Sequence, residues 1–600
     1  MTTKEMAPAE MSETLKENLG KIEALTARLI AAMSHKKPIR PSLQGPGPEF
    51  VGRAMGAYWA EMMTNPAKVW EQQIEYWGKT LNHAIEAQQA LMDADGTLVP
   101  EDPHPKDRRF SNPLWDTHPY FNYLKQQYFI GAEAVEKAVE ELDDVDPHEK
   151  QRMRYFAQQI VDMMAPTNFL ATNPDALEKA IETEGQSLVA GLENMIRDLE
   201  AHDGELIVTL SDPEAFKVGE NLGTSEGSVV YRNRLFELIQ YAPRTKQVYE
   251  KPLLIFPPWI NKFYILDLKP ENSLIRWITE QGFTLFVVSW VNPDASYADV
   301  GMDDYVEEGF LTAIDEVKKI SGQDKINVVG YCIAGTTLAL TLSLLNKRGD
   351  DSVNSATFFT ALTDFSDQGE VGVFLDNDFV DGIEEEAQET GMMSSLYMSR
   401  TFSFLRANDL IYQPAIRSYM LGDPPPAFDL LHWNGDSTNL PGKMAVEYLR
   451  GLCQQDKFAG AGEGFALLGE RLKIDDVTVP VCAIACETDH IAAWRSSYRG
   501  MRQMGSEDKT FILSESGHIA GIVNPPSKKK YGHYTNETWP DDPGEWQAGA
   551  DFHAGTWWFR WGEWLAARSG KMIPAPSPGD SEHPVLCAAP GTYVVQTTSD

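Results

Sequence analysis

Short apolar runs of strand length alternate with helical patterns from Leu253 onward, and no other feature of the 600-residue chain restricts its fold as much. LLIFPP (253–258), TLFVVSW (284–290), KINVVGY (325–331) and residues 356–362 have no polar face, so each reads as a strand covered on both sides. Helical periodicity over 273–281, 305–320 and 333–346 separates them. Such alternation predicts an α/β architecture, a parallel sheet with helices on both faces. The rhythm stops at about residue 363, where turn-rich stretches (DNDF, GDPPPAF, HWNGDSTNLPG) enclose helical segments. It resumes with VTVPVCAIACETD (477–489), a helix from Ala492 and KTFILSES (509–516). The interruption, about 363–453, is read as an inserted cap. Trp557, Trp558, Trp561 and Trp564 fall on a further helix and fit core packing rather than a binding box.

The first two hundred residues have a different texture. Leu15, Leu19, Ile22, Leu25, Leu29 and Ile30 recur at three- and four-residue spacing, which predicts an amphipathic helix over 12–33. Residues 35–50 (HKKPIRPSLQGPGPEF) form a Pro/Gly-rich basic linker, and helical patterns follow over 58–92, 119–142 and 147–164. The expected organisation is a mainly helical domain over 1–205, then the α/β region with its cap insertion over 206–600. That division suits a chain too long for one ordinary domain.

Lys and Arg number 52 against 88 Asp and Glu, a formal net charge of −36. This excludes a nucleic-acid partner, which needs a basic surface, and disfavours attachment to anionic lipid. A phosphorylated small molecule remains compatible through a local basic pocket. No apolar run is long enough to span a bilayer, so no transmembrane segment is expected. Residues 1–18 lack the pattern of a signal peptide, so a cytoplasmic protein is expected. Five scattered cysteines (Cys332, Cys453, Cys482, Cys486, Cys587) make neither a disulfide framework nor a metal set. Cys482 and Cys486 read as core thiols. No metal and no resident cofactor are expected.

Val328-Val329-Gly330-Tyr331-Cys332-Ile333-Ala334-Gly335 lies where a predicted strand meets a predicted helix. A sharp turn there needs small neighbours, and Gly330 and Ala334 flank the cysteine, with Gly335 next. This is the nucleophile elbow of the α/β-hydrolase fold with Cys332 in place of serine. A helix N-terminus favours thiolate. The acid and the histidine should follow in that order, each in a loop at a strand's C-terminal end. Asp489 follows the strand around 479–486, and His518 lies in the Gly-rich loop SGHIAG (516–521). His490 is the rival base, but as the residue next to Asp489 it points elsewhere, and it is assigned a supporting position. An oxyanion hole would use the Ile333 N–H and a donor from the loop after the first core strand. Pro257 and Pro258 have no N–H, which leaves Trp259.

These segments together resemble the polyhydroxyalkanoate synthases. The likeness lies in PPWINKFYILDLKPENSLIRWITEQGFTLFVVSWVNPD (257–294), GYCIAGTT around Cys332, FDLLHWNGDSTNLPG (428–442), TDHIAAW around Asp489 and SGHIAGIVNPP around His518. DRRFSNPLWDTHPYFNYLKQQYF (107–129) and APGTYV (589–594) extend it over about 100 to 595. The resemblance is to the class I, single-subunit type and places the family's nucleophile, acid and histidine on Cys332, Asp489 and His518, with oxyanion donors at Ile333 and Trp259. It implies polymerisation of short-chain 3-hydroxyacyl-CoA, such as 3-hydroxybutyryl-CoA, through an acyl-cysteine, coenzyme A being a product rather than a cofactor. It also implies a homodimer on the surface of polyester granules, with the N-terminal region aiding attachment or dimerisation. The competing readings are an intracellular polyester depolymerase or thioesterase using the same cysteine, and a non-catalytic granule-associated protein. Either Asp489 or His518 could activate the hydroxyl in chain growth.

Overall fold

The computed structural model describes residues 12–34, 48–92, 106–142 and 145–597. Most of the expected basic linker, 35–47, lies outside the described residues, as do the first eleven residues. The chain divides into two units, Met1–Asp212 with Arg406–Pro426, and Pro213–Leu405 with Ala427–Asp600.

The first unit is helical. Its principal elements are α1 (Glu13–Ser34), α2 (Pro48–Thr64), α3 (Pro66–Met92), α4 (Pro119–Glu140), α5 (Pro147–Met163), α6 (Pro174–Glu182) and α7 (Gln186–Ala201). The helical pattern expected over 58–92 is divided between α2 and α3, because Pro66 cannot continue a hydrogen-bonded ladder but suits a first helical turn. Asp146 caps α5 by accepting from the His148 and Glu149 N–H groups. The fully buried Asp198 on α7 accepts from the Thr209 N–H (3.1 Å), the Thr209 hydroxyl (2.7 Å) and the Tyr419 hydroxyl (2.9 Å). Residues 406–426, expected within the cap, are thereby tied to α7. A charge buried on this helix needs those donors, and Tyr419 comes from more than two hundred residues away.

The second unit is built on an eleven-stranded sheet. Its strands are β1 (Gly227–Arg232), β2 (Phe236–Tyr241), β3 (Leu253–Phe256), β4 (Leu285–Trp290), β5 (Ile326–Tyr331), β6 (Val353–Phe359), β7 (Val481–Cys486), β8 (Lys509–Ser514), β9 (His533–Thr535), β10 (Asp551–His553) and β11 (Cys587–Ala588). They lie in the order β10-β9-β8-β7-β6-β5-β3-β4-β2-β1-β11. The stretch from β4 to β8 is parallel and the flanking pairs are antiparallel. Between the parallel strands run α8 (Leu274–Glu280), α9 (Thr312–Ser321), α10 (Ile333–Arg348) and α11 (Trp494–Gln503), with α12 (Trp558–Ala566) near the end. This is the α/β-hydrolase fold. The strands expected at 253, 284, 325, 356, 477 and 509 are β3 to β8.

The elements form for local reasons that the core then reinforces. Every residue of β5 is buried, as expected of a strand covered on both faces. Fully burying one of its valine or isoleucine side chains contributes about 1.5–3 kcal/mol relative to exposure. Helix α10 is buried nearly all round and ends where Gly349 takes φ +67°, with Lys347 and Arg348 in its last turn. Trp557, Trp558 and Trp561 are fully buried in the core shared by α8, α12 and the sheet. Cys482 and Cys486 are also buried there. The cap insertion occupies the chain between β6 and β7 and includes helices at Asn377–Thr390, Ser395–Leu405 and Gly442–Tyr448.

The β1–β2 hairpin at the sheet's edge is absent from the sequence expectation. All six residues of β2 are buried, among them Glu237. Its carboxylate accepts from Arg232 and from the Thr592 (2.8 Å) and Tyr593 (3.0 Å) N–H groups of the C-terminal segment. A charged strand of this kind does not look like core until its distant donors are known. Among the described residues no helix is long and apolar enough to cross a membrane.

Candidate active site

Cys332 stands between β5 and α10 with φ +54° and ψ −126°, a left-handed conformation uncommon for any residue with a side chain. Neighbouring contacts hold it there. Its N–H donates to the Phe359 carbonyl (2.8 Å), and the Gly335 N–H donates to its own carbonyl (2.8 Å). A Cβ on Gly330 would lie 2.6 Å from Gly335 Cα, and one on Gly335 would lie 2.4 Å from the Ala361 Cβ. The tight partner of Gly330 is therefore Gly335 rather than Ala334, whose methyl group is accommodated in the core. Cys332 is only partly buried, unlike Cys453, Cys482 and Cys486.

Asp489 and His518 leave the C-terminal ends of β7 and β8, the edge at which Cys332 leaves β5. The His518 ring meets the Asp489 carboxylate, Nδ1 to Oδ2, at 2.7 Å. The other carboxylate oxygen accepts from the Ile491 (2.8 Å) and Ala492 (2.9 Å) N–H groups, and the Asp489 side chain is wholly enclosed. Burial acts to lower the affinity of the His518 ring for a proton. The charges of Asp489 and Cys332, with hydrogen bonds to both, outweigh it and raise the ring well above the ordinary 6.5. Thiol, imidazole and carboxylate are thus brought together. His490 is half-buried beside this group, and it is His518 that engages Asp489.

Trp259 and Ile333 line the same cavity as Cys332. Neither backbone N–H donates to an acceptor among the described residues. The Trp259 ring is buried, with its indole N–H on the Thr337 hydroxyl (3.3 Å), so the tryptophan is both core residue and cavity wall. The cavity, about 120 Å³, runs from Cys332 into the cap, between side chains such as Phe365, Phe379, Ile383, Met398 and Phe402. No charged side chain lines it. Among the described residues, no group of three or more His, Cys, Asp and Glu is placed to hold a metal ion.

Three residues here were given no role by the sequence. Tyr331 is buried, stacks on His518 with ring centroids 6.0 Å apart, and points its hydroxyl at the His518 carbonyl (3.5 Å). Thr360 takes φ +41°, rare for a β-branched residue, and its buried hydroxyl has no partner among the described residues. Lys262 is a buried cation paired with Asp436. The segments that hold Lys262 and Asp436 both stood out in the sequence, but their pairing could not be read from spacing.

Residues 106–278 match a family model described as the N-terminus of poly-beta-hydroxybutyrate polymerase (PhaC), and residues 251–525 match the alpha/beta hydrolase fold. The chain is 37% identical over 601 residues to a poly(3-hydroxyalkanoate) polymerase of Methylorubrum extorquens, with 97% of each chain covered. It is 41% identical over 495 residues to the poly(3-hydroxyalkanoate) polymerase subunit PhaC of Cupriavidus necator, covering 81% of this chain and 83% of that one. With poly(3-hydroxyalkanoate) polymerase 1 of Ectopseudomonas oleovorans the identity is 34% over 493 residues, 82% of this chain and 87% of the other.

Proposed function

The chain belongs to the poly(3-hydroxyalkanoate) polymerase family, and from that premise we propose that it builds polyester from 3-hydroxyacyl-CoA thioesters through an acyl-cysteine on Cys332. The observation that carries this reading is the convergence of His518 and Asp489 on Cys332, which lines an apolar cavity free of charged side chains.

His518 takes the thiol proton, and the Cys332 sulfur attacks the thioester carbon. The oxygen that becomes negative is met by the Ile333 and Trp259 N–H groups, which have no other acceptor among the described residues. Collapse breaks the bond from carbon to the coenzyme A sulfur, which leaves with the proton from His518. The 3-hydroxyl of another unit then gives its proton to the His518–Asp489 pair and attacks the acyl group. An ester bond forms, and the Cys332 sulfur is released. Asp489 acts through His518 in this scheme, because both of its oxygens are engaged and its side chain is enclosed.

The cavity suits an acyl group, and the family resemblance favours a short one such as 3-hydroxybutyryl. Association with polyester granules is supported by helix α3. Trp70, Ile74, Trp77, Leu81 and Ile85 form an i, i+4, i+7 stripe along it, each more than half exposed. A stripe of this kind binds an apolar surface from one side. Homodimerisation and a cytoplasmic setting belong to the same proposal and rest on the family resemblance.

The test is a single turnover of a labelled 3-hydroxyacyl-CoA, quenched in acid and digested. Label on the peptide carrying Cys332 is expected. Released coenzyme A without label on that peptide would overturn the acyl-cysteine.

A further inference from the structure

Lys528, Lys529 and Lys530 are the only run of three lysines or arginines in a chain of net charge −36. They are exposed and stand at the apex of a loop, 524–532, whose base is closed by two sets of contacts. The Asn524 amide donates to the Tyr531 carbonyl (3.1 Å). Glu515 and Gly532 exchange bonds, the Glu515 N–H donating to the Gly532 carbonyl (3.0 Å) and the Gly532 N–H to the Glu515 carboxylate (2.6 Å). Glu515 lies three residues before His518, so the loop is anchored to the one that carries the candidate base.

Arg502 and Arg568, elsewhere in this unit, are each paired with a carboxylate. None of the three lysines forms an ion pair among the described residues. The Lys530 ammonium sits 4.7 Å over the Tyr531 ring. The neighbouring Lys530 and Ser516 side chains, with the charge of Lys528, hold the Tyr531 phenol below its ordinary value. The Lys530 ammonium thus rests on the Tyr531 ring in a loop tied to the one that carries His518.

We propose that this loop, through Lys528 and Lys530, binds the phosphate groups of the coenzyme A carrier. The inference rests on the acyl-CoA reading above. It meets a need the cavity leaves open, since an apolar cavity without charged side chains has no place for phosphates, while a long flexible pantetheine arm separates them from the thioester. Ammonium groups without carboxylate partners form charge-assisted bonds to phosphate without first breaking others.

The experiment compares wild type with the double variant Lys528→Ala/Lys530→Ala on 3-hydroxybutyryl-CoA and on the 3-hydroxybutyryl thioester of pantetheine, which lacks phosphates. The KM for the CoA thioester is expected to rise about ten-fold, and the KM for the pantetheine thioester to stay within about two-fold. Lys528→Arg/Lys530→Arg should restore most of the loss. Equal losses on both substrates would show that the loop serves His518 rather than phosphate, and no change on either would equally overturn the assignment. If wild type releases no coenzyme A at all, the parent reading fails on its own. Calorimetric binding of coenzyme A against pantetheine then still decides the loop: weaker coenzyme A binding in the Ala variant supports it, and equal binding refutes it.

Discussion

Lys262 Nζ lies 2.5 Å from Asp436 Oδ1, joining the loop after β3 to the cap motif. The lysine is almost fully buried, and it also donates to the Gln596 carbonyl (2.8 Å), while the Tyr264 hydroxyl holds the second Asp436 oxygen (2.8 Å). The Trp433 indole donates to the Lys262 carbonyl (2.7 Å), and the Thr438 hydroxyl to the Trp259 carbonyl (3.1 Å). The backbone that presents the Trp259 N–H is therefore clamped from the cap side, with the ion pair at its centre.

Asp436→Asn should loosen that clamp and slow attack of Cys332 on a thioester by about ten- to a hundred-fold, short of the full loss of an oxyanion donor. Alkylation of Cys332 by iodoacetamide should keep its wild-type rate, because displacement at a saturated carbon builds no oxyanion. Equal slowing of both reactions would mean that the pair serves general stability, which a thermal melt run alongside would register.

Cys332→Ala should abolish release of coenzyme A and leave the fold intact, since the elbow is already crowded with small residues. Cys332→Ser should be nearly as inactive, because a hydroxyl ionises far less readily than a thiol. Thiol release measured with a disulfide reagent, against far-UV circular dichroism of each variant, checks both. Wild-type turnover by the alanine variant would remove Cys332 from the mechanism.

Much of this site was legible because its determinants are local. Strand β5, the turn at Cys332 and helix α10 are contiguous, and the order of nucleophile, acid and histidine follows the order of β5, β7 and β8. What was missed depends on partners far along the chain. Strand β2 hides its core character behind Glu237, which is satisfied by Thr592 and Tyr593. The segment 406–426 belongs with the helical unit because Tyr419 serves the buried Asp198. Lys262 looks like an ordinary surface cation until Asp436 is placed beside it. Periodicity reports which face of an element is apolar, and carries no record of which distant residue neutralises a buried charge.

Asp489→Asn should slow chain elongation by a larger factor than the first acylation. The first step removes a proton from a thiol, the second from an alcohol, which is much the weaker acid and so depends more on the strength of the base. Rapid quench with a labelled substrate separates the two, and an acylated but unextended enzyme should accumulate. Equal slowing of both steps would contradict the division of labour.

The raised affinity of His518 for a proton has a signature in stability. A histidine held above its unfolded value stabilises the native state fully below about pH 6.5, and that contribution is lost as the pH rises through the folded value. The urea midpoint of wild type minus that of His518→Gln should therefore fall as the pH rises above about 6.5. A flat difference over that range would show that Asp489 and Cys332 do not outweigh burial at the ring.

The acyl-cysteine must meet a hydroxyl before it meets water. Water is in vast excess, so an accessible acyl group would be hydrolysed unless the chain hydroxyl is held against it. Positioning can raise its effective concentration to about 10⁵ M or more. The cavity wall drawn from the cap, with Phe365, Phe379 and Phe402 among its side chains, leaves little polar surface to bind water. We therefore expect 3-hydroxybutyryl-CoA to yield coenzyme A and insoluble polyester, with little free 3-hydroxybutyrate. Thiol release has to be followed beside chromatography of the products, since release alone is common to a polymerase and a thioesterase. Free hydroxy acid accounting for most of the released coenzyme A would establish a hydrolase, and Phe402→Ala, which opens the apolar wall, should move wild type in that direction.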